Sequence, residues 1–176
     1  MSVYQIDGTH SAVEFAIKHL MISNVKGRFT KVAGELTVDG ANPLNSSVEA
    51  SAEIASIDTH DPQRDGHLRS PDFFDADKYP TMTFKSRRLE KAKGEDEYKL
   101  TGDLTIRDVT REVVFDLTFL GQGADPWGNA RVGFSATTAI NRRDYGLVWN
   151  TALESGGVLV GDQVKINIEA EAIKKA

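Results

Sequence analysis

Four histidines, His10, His19, His60 and His67, are the side chains best suited by type to acid–base or metal chemistry. Their spacings of 9, 41 and 7 residues match no compact metal motif, and no His-Glu-x-x-His run is present. An odd spacing of 9 turns His10 and His19 to opposite faces of an ideal strand, unless a bend or bulge intervenes. Arg64, Asp65 and His67 can form a polar cluster with Asp61 or Asp72. Asp65 and His67 make a poor acid–base pair on a helix, because residues two apart diverge. Ser11, Ser70 and Ser86 sit in no nucleophile-elbow context. Catalysis would further need a group to stabilise developing charge. The reading is therefore non-enzymatic, with no cofactor and no metal site. An enzyme centred on His10, His19, Asp65 and His67 is the weaker alternative.

Two further groups invite a binding role. Asn141, Arg142, Arg143, Asp144, Tyr145 and Gly146 follow a strongly alternating stretch. Asn and Asp there can bond their own backbone and fix a turn, which is the leading reading. The arginines can instead meet an anionic head group near an opening. Trp149, Leu153 and residues 158–160 form an apolar segment which, with Phe73 and Phe74, either shapes a pocket rim or seals the end of a core.

The elements that must position these groups are strands. Period-two alternation recurs over residues 12–19, 35–39, 47–54, 81–85, 111–119, 132–140 and 163–172. Residues 40–45 hold an Asn-Pro turn, 94–97 form a hairpin with Gly available for a positive φ, and 121–128 read as a longer loop. Helix is scarce. One turn is expected over 20–25 and a short helix over 62–68, with Asp61 as N-cap, Pro62 at N1 and Asp65 near the positive end. Pro71 should stop that helix, and a second turn is expected from Asp72.

Each strand has one apolar and one polar face, which fits a closed barrel or two packed sheets. Hydrogen bonding between the first and last long strands would decide for closure. The apolar face mixes Phe15, Phe84, Phe115, Phe119 and Phe134 with Ala50, Ala52, Ala136 and Ala170, so either a cavity or a filled taper is open at this point. The insert over 61–77 interrupts the strands and should cover what they enclose.

Composition removes several function classes. Without Cys there is no disulfide, thiolate nucleophile or sulfur-bound metal. A net charge of −5 does not attract a phosphate backbone, so no nucleic acid is expected as partner. No apolar run approaches the ~20 residues of a membrane span. The start carries no targeting pattern, so the expected place is the cytoplasm, with a mature periplasmic form as the other reading.

A set of ordered pieces resembles the YceI-like, polyisoprenoid-binding family over residues 4–170. It includes Asp7, His10, Ser11, Val13 and Phe15; Gly27, Arg28 and Phe29; Ser56, Ile57 and Thr59; and Arg64, Asp65, His67 and Leu68. Phe73, Phe74, Tyr79 and Pro80 follow, then Gly102 to Ile106, Gly133 and Phe134, and Asn141, Arg142, Asp144, Tyr145 and Gly146. Arg107-Asp108 departs from the family pattern of a small polar residue and Gly, at what reads as a turn.

The resemblance implies a single all-β domain, an extended lipocalin-like antiparallel barrel of about eight strands with a short helical insert. It implies a tunnel that binds, stores or transports a polyisoprenoid, an isoprenoid quinone or a polyprenyl phosphate. The expected lining is Phe15, Ile17, Phe29, Phe73, Phe74, Phe84, Phe115, Phe119, Phe134 and Trp149. Phe73 and Phe74 should anchor the insert as a lid, with Asp72 capping the turn at Phe73. A homodimer stays open as the assembly. The competing function is a stress-related or structural protein with a filled barrel, acting through its acidic insert.

Overall fold

The computed structural model describes residues 1–150 and 159–176. Among them eleven strands alternate with one α-helix. They are β1 (Ser2–Ile6), β2 (Ala12–His19), β3 (Ser23–Phe29), β4 (Val32–Val38), β5 (Ser47–Glu53) and β6 (Ile57–Asp58), then β7 (Thr81–Lys91), β8 (Glu97–Ile106), β9 (Val109–Ala124), β10 (Ala130–Asn141) and β11 (Val160–Lys174). All pairings are antiparallel. The order β1-β4-β5-β7-β8-β9-β10-β11 returns to β1, so eight strands form a closed barrel and the two-sheet sandwich is excluded. Closure removes the unpaired edges that a sheet of this size would otherwise present.

The long strand β11 serves two partners on one edge. Its C-terminal part pairs with β1 (Ile6 opposite Ala172), and the rest pairs with β2 (Ala12 opposite Glu169). β1 and β2 thus act as one strand broken at residues 7–11. Asp7 makes the break: its carboxylate accepts the Thr9 N–H at 3.0 Å and the Thr9 hydroxyl at 2.7 Å. β3 and β4 repeat the pattern, and β6 pairs with β3 through Phe29 and Ile57. These extensions of β2, β3 and β6 lengthen the barrel at one end.

Three expectations need correction. Residues 20–25 are no helical turn: Leu20 and Met21, at φ 54° and 63°, make the tight bend of the β2–β3 hairpin. The loop expected over 121–128 starts later, because β9 continues to Ala124 and only the second half of that stretch is turn. Gly121, at φ 126°, and a bulge opposite Gly133 and Phe134 let it continue while shifting the register. The 94–97 turn does not use a positive φ at Gly94; the Lys91 ammonium instead bonds the carbonyls of Gly94, Glu95 and Glu97.

The insert follows its sequence signals closely at its start. Helix α1 (Pro62–Arg69) has Asp61 as N-cap, accepting from the N–H groups of Gln63 at 3.1 Å and Arg64 at 3.2 Å. Asp65 does not serve the helix end. It is buried and accepts the Thr59 N–H at 2.9 Å and the Thr59 hydroxyl at 2.5 Å. The Arg64 Nε donates to the same hydroxyl oxygen at 2.8 Å. The helix is therefore riveted to the chain leaving β6. The turn after it hangs on Ser70, whose carbonyl accepts from Phe73 and Asp75. Asp72 does not cap that turn; its carboxylate lies 2.9 Å from His67 Nε2.

The barrel end away from the insert is closed by Tyr4, Val132 and Ala172, with Leu36, Val38 and Phe119 packed against them. Outside this plug one guanidinium spans the closing seam. Arg131 donates to Asp125 at 2.8 Å, to Asp7 at 2.9 Å and to Glu171 at 3.0 Å. Hydrogen bonds from Thr9, then Arg131 and His10, hold the Asp7 carboxyl well below its usual range, against a smaller opposing effect of burial. At Asp125 burial pushes upward, yet the bonds from Arg131, Asn129 and the Trp127 N–H win and hold it low as well.

A carboxyl depressed by folding stabilises above its unfolded pKa, about 3.9 for Asp, and that contribution fades as pH falls through the lower folded value. Urea midpoints measured at pH 7, 4 and 2.5 should fall steeply below about pH 4 for the native chain. Arg131→Gln should lower the midpoint at neutral pH and flatten the acid limb, because less depression remains to be lost. Parallel acid limbs would show that the seam carboxylates are not coupled to Arg131.

Candidate functional site

The inward faces of the ring do not fill the space between them. A cavity of about 130 Å³ occupies the middle of the barrel. Every strand of the ring contributes to its wall. Ile6 comes from β1, Val32 from β4, Val48, Ala50 and Ala52 from β5, Met82 and Phe84 from β7, and Leu100, Leu104 and Ile106 from β8. Phe115 and Leu117 come from β9, Phe134 and Ala136 from β10, and Ile166, Ile168 and Ala170 from β11. The physical cause of the void lies in residue size: Ala50, Ala52, Ala136 and Ala170 stand where larger side chains would meet. Phe84 and Phe115 brace one side edge to face, with ring centres 5.2 Å apart.

A second cavity, of about 90 Å³, lies under the insert. Its wall shares Val13, Met82, Ile106 and Ile166 with the first, so the two adjoin end to end. The rest of the wall includes Phe15, Ile17, Phe29, Leu68, Phe73, Phe74, Arg142, Tyr145 and Leu147. Phe74 meets Phe29 edge to face at 5.8 Å, and Phe29 meets Phe15 at 5.7 Å. Phe73 is buried and packs on Trp149 at 5.4 Å and on the His67 ring at 5.1 Å. The insert is thus seated on the barrel by an aromatic chain, with Phe73 and Phe74 at its centre.

Two glycines give these aromatics their places. Gly27 lies opposite Phe15 on the neighbouring strand, and a Cβ there would stand 2.5 Å from the Phe15 ring. A Cβ at Gly102 would stand 2.5 Å from the Phe84 ring and from the Lys85 carbonyl. Neither spot admits a side chain without moving a cavity wall.

Of the expected lining residues, Phe84, Phe115 and Phe134 face the central cavity, while Phe15, Ile17, Phe29, Phe73 and Phe74 face the one under the insert. Phe119 and Trp149 line neither. Phe119 pairs directly with Phe134, immediately before the bulge, and packs into the Tyr4 plug. Trp149 backs Phe73 from behind and meets the His67 ring edge to face at 4.7 Å. Leu153 and Val158, expected at the rim, lie outside the described residues. Sequence reasoning left out Tyr145, Leu68, Ile106 and Leu147. The alternation of Leu104 and Ile106 was a usable signal; the other three sit in irregular or helical segments where period two says nothing.

The 142–146 segment is a turn, as its Asn and Asp suggested. Asn141 accepts the Arg143 N–H at 2.9 Å, and Gly146 closes the single 3₁₀ turn Arg142–Tyr145 at φ 79°. Arg143 is exposed and bonds Asp162 at 3.1 Å. Arg142 is buried, and its guanidinium donates to the main-chain oxygens of Leu147 at 2.6 Å, Trp149 at 2.8 Å and Gly161 at 2.8 Å. Burial pulls its pKa down, Asp162 opposes this, and Arg143 adds to it. Its Nε and Nη1 donors hold chain segments together, and its Nη2 lies 3.4 Å from the Val160 oxygen and 3.6 Å from Asp162, so the turn reading leads over an anion-binding arginine pair.

The acid–base set does not assemble. His10 bonds Asp7 at 2.8 Å, His67 bonds Asp72, and Asp65 is spent on Thr59. Among the described residues no group of three or more His, Asp or Glu side chains is arranged to hold a metal. No described helix is long and apolar enough to cross a membrane. What the geometry offers is an apolar space inside the barrel, roofed by the insert, with Arg142 and Tyr145 among the residues around it beneath that roof.

The model of the YceI-like domain matches residues 4–172. A UPF0312 protein of Staphylococcus aureus strain N315 is 41% identical over 174 residues, covering 97% of each chain. One from Vibrio cholerae strain O395 is 42% identical over 146 residues, covering 82% of this chain and 77% of its own. The crystal structure of a Campylobacter jejuni YceI protein superposes with a TM-score of 0.76 at 36% identity, covering 91% of each chain. A polyisoprenoid binding domain from Saccharophagus degradans has the same fold, with a TM-score of 0.75 at 14% identity over 99% of this chain and 100% of its own.

Removing Arg142 should cost far more than removing a surface charge. Arg142→Met leaves one buried and two part-buried main-chain oxygens without this donor and should lower stability by about 3 kcal/mol in urea denaturation. Arg142→Lys should recover only part of that, because an ammonium lacks the planar fork. Equal stability of Met and Lys variants would show that the fork geometry is not used.

Proposed function

The chain belongs to the YceI-like family, and from that premise we propose that it binds and carries a long apolar lipid of the polyisoprenoid class, without catalysis. The observation that supports this reading is the pair of adjoining apolar cavities inside a closed barrel. A polyprenyl chain is long, apolar and thin, so its transfer from water to such a wall is favoured by about 0.8 kcal/mol for each buried CH₂, before ordering costs. Affinity of this kind needs no reacting group.

The tail occupies the central cavity and the head lies under the insert. The plug of Tyr4, Val132 and Ala172 closes the far end, so entry and exit use the insert end. The insert touches the barrel mainly through Leu68, Phe73, Phe74 and Ala76, a small apolar footing for a cover that must lift. Its helix stays tied at one point, through Asp65 and Arg64 to Thr59, which suits a hinge.

Native mass spectrometry after gentle purification should show a co-purifying lipid, and the emptied protein should take up an isoprenoid quinone on titration. Neither adduct nor uptake would count decisively against carriage. The double change Phe73→Ala with Phe74→Ala should speed transfer of a fluorescent isoprenoid to vesicles by roughly thirtyfold, since the aromatic contact of each residue is worth about 1 kcal/mol. Circular dichroism should stay that of the native barrel. An unchanged release rate would show that the pair is not a gate.

A further inference from the structure

The bend between β2 and β3 is built from residues that a turn does not ask for. The Ile22 N–H donates to the His19 carbonyl at 3.2 Å, which makes Leu20 and Met21 the central pair of a β-turn, and both have a positive φ. Such a turn is the natural place for Asn-Gly, because bulky side chains rarely adopt that conformation. The tip is also turned out to solvent: Leu20 is 38%, Met21 54% and Ile22 82% exposed. Neither the strain nor the exposed apolar surface serves the interior, since the cavity under the insert reaches along β2 only as far as Ile17.

The tip stands at the insert end of the barrel. His19 lies opposite Val160, and the Leu20 N–H donates to the Leu159 carbonyl at 2.8 Å. Arg142 ties the same stretch, at Gly161, to Trp149, the residue that backs Phe73. Val148, next to Trp149, is a further exposed apolar side chain. The charge of the hairpin is one-sided. Between Glu14 and Glu35 the charged residues are Lys18, Lys26, Arg28 and Lys31, with no acid, in a chain whose net charge is −5. Lys18 lies opposite Asn24, Lys26 opposite Ala16 and Arg28 opposite Glu14, so these three share the outward face, away from Phe15 and Ile17. Asp162, on the adjoining start of β11, is already bonded by Arg143.

We infer that this hairpin docks the protein on a membrane surface of anionic lipid, with Leu20, Met21 and Ile22 entering between the head groups and Lys18 and Lys26 meeting their phosphates. This rests on the carrier reading above and adds the surface at which cargo is exchanged. An apolar tip backed by basic side chains is the composition of an interfacial anchor. Lys26 stands three residues behind Ser23, roughly 10 Å, which is about a Debye length from a bilayer that the tip enters. The other exposed parts of the surface fit such a partner less well. Trp127 is 81% exposed, but it lies at the plugged end, where Asp7, Asp125 and Glu171 surround Arg131. The insert carries Asp72, Asp75 and Asp77. Anionic lipid is repelled by both.

The test is flotation of the full chain with vesicles of phosphatidylcholine alone and of equal parts phosphatidylcholine and phosphatidylglycerol. The wild type should float with the mixed vesicles, and less so at high salt. Met21→Gly with Ile22→Thr should weaken that binding roughly tenfold, since two largely exposed side chains are withdrawn from the bilayer. It should melt at or above the wild type, because Gly takes the positive φ without strain. Lys18→Gln with Lys26→Gln should weaken binding to the mixed vesicles about thirtyfold, at about 1 kcal/mol per lysine, and leave phosphatidylcholine vesicles unaffected. Trp127→Ser should change neither. Unchanged vesicle binding in the hairpin variants, an equal loss in Trp127→Ser, or a wild type that floats with neither vesicle would each overturn the assignment. So would a Met21→Gly, Ile22→Thr variant that melts below the wild type, which would give the tip a part in holding the barrel. A wild-type dimer that this variant turns into monomer in gel filtration would make the tip's partner a second copy and overturn it too. Uptake of an isoprenoid quinone, measured without vesicles, should be equal in all variants. A wild type that floats but takes up no quinone overturns the carrier reading and leaves the docking site standing, whereas uptake without flotation does the reverse.

Discussion

The interior depends on one packing constraint: eight apolar strand faces meet around a common axis, and too many of the residues at their meeting point are small. Protein interiors normally close to the density of organic crystals. Here alanines on β5, β10 and β11 stand opposite the aromatics of β7 and β9, and the ring of hydrogen bonds holds the walls apart. A two-sheet arrangement could slide together over such residues. A closed ring cannot, because moving one wall inward breaks pairing on both of its edges. The cavity is therefore a property of closure combined with residue size.

Polar groups serve that constraint from outside and at the ends. Arg131 collects three carboxylates across the seam of β1, β10 and β11. Arg142 plays the corresponding part at the insert end, gathering carbonyls from chain segments that have no ladder to bond them. The first is a partly solvated ion network; the second is a buried cation satisfied mainly by dipoles. Both free the inner walls from any need for charge. Thr59 does the same on a smaller scale, joining Arg64 and Asp65 so that the helix has a fixed root.

Much of this was legible in the chain because period-two alternation survives wherever one face is solvated. The strands around Phe15, Phe115, Phe134 and Ile168 were read within a few residues, and Asp61 with Pro62 marked the helix start. The family resemblance, carried by ordered pieces such as Arg64-Asp65 and Asn141-Arg142, selected the barrel where alternation left a sandwich open. The misreadings share a cause. Leu20, Met21 and Ile22 look helical by apolar content, but the bend there is set by two positive φ angles on non-glycine residues. Residues 121–124 look like a loop because of their glycines, which in fact carry a bulged strand onward. Phe119 has the right parity for the cavity but packs against Tyr4, Val132 and Ala172, since parity fixes a face and not the neighbours met there. Tyr145 was read only as part of a turn, because its place in the cavity wall comes from a 3₁₀ segment where period two gives no face.

The seam has a further consequence for how the chain comes to be folded. Tyr4 pairs with Lys174, about as far apart in sequence as two residues here can be. During synthesis β1 can find β4 early, but its other edge stays open until residues 160–174 have been made. Every local hairpin from β7 to β10 can form before that moment, whereas the ring cannot. Closure is thus a late, long-range event in a protein otherwise built of neighbours, and strand closures of that kind are slow and expose open edges meanwhile. The polar outward face of β11, with Lys165, Glu169 and Glu171, keeps the waiting edge from presenting two apolar faces at once.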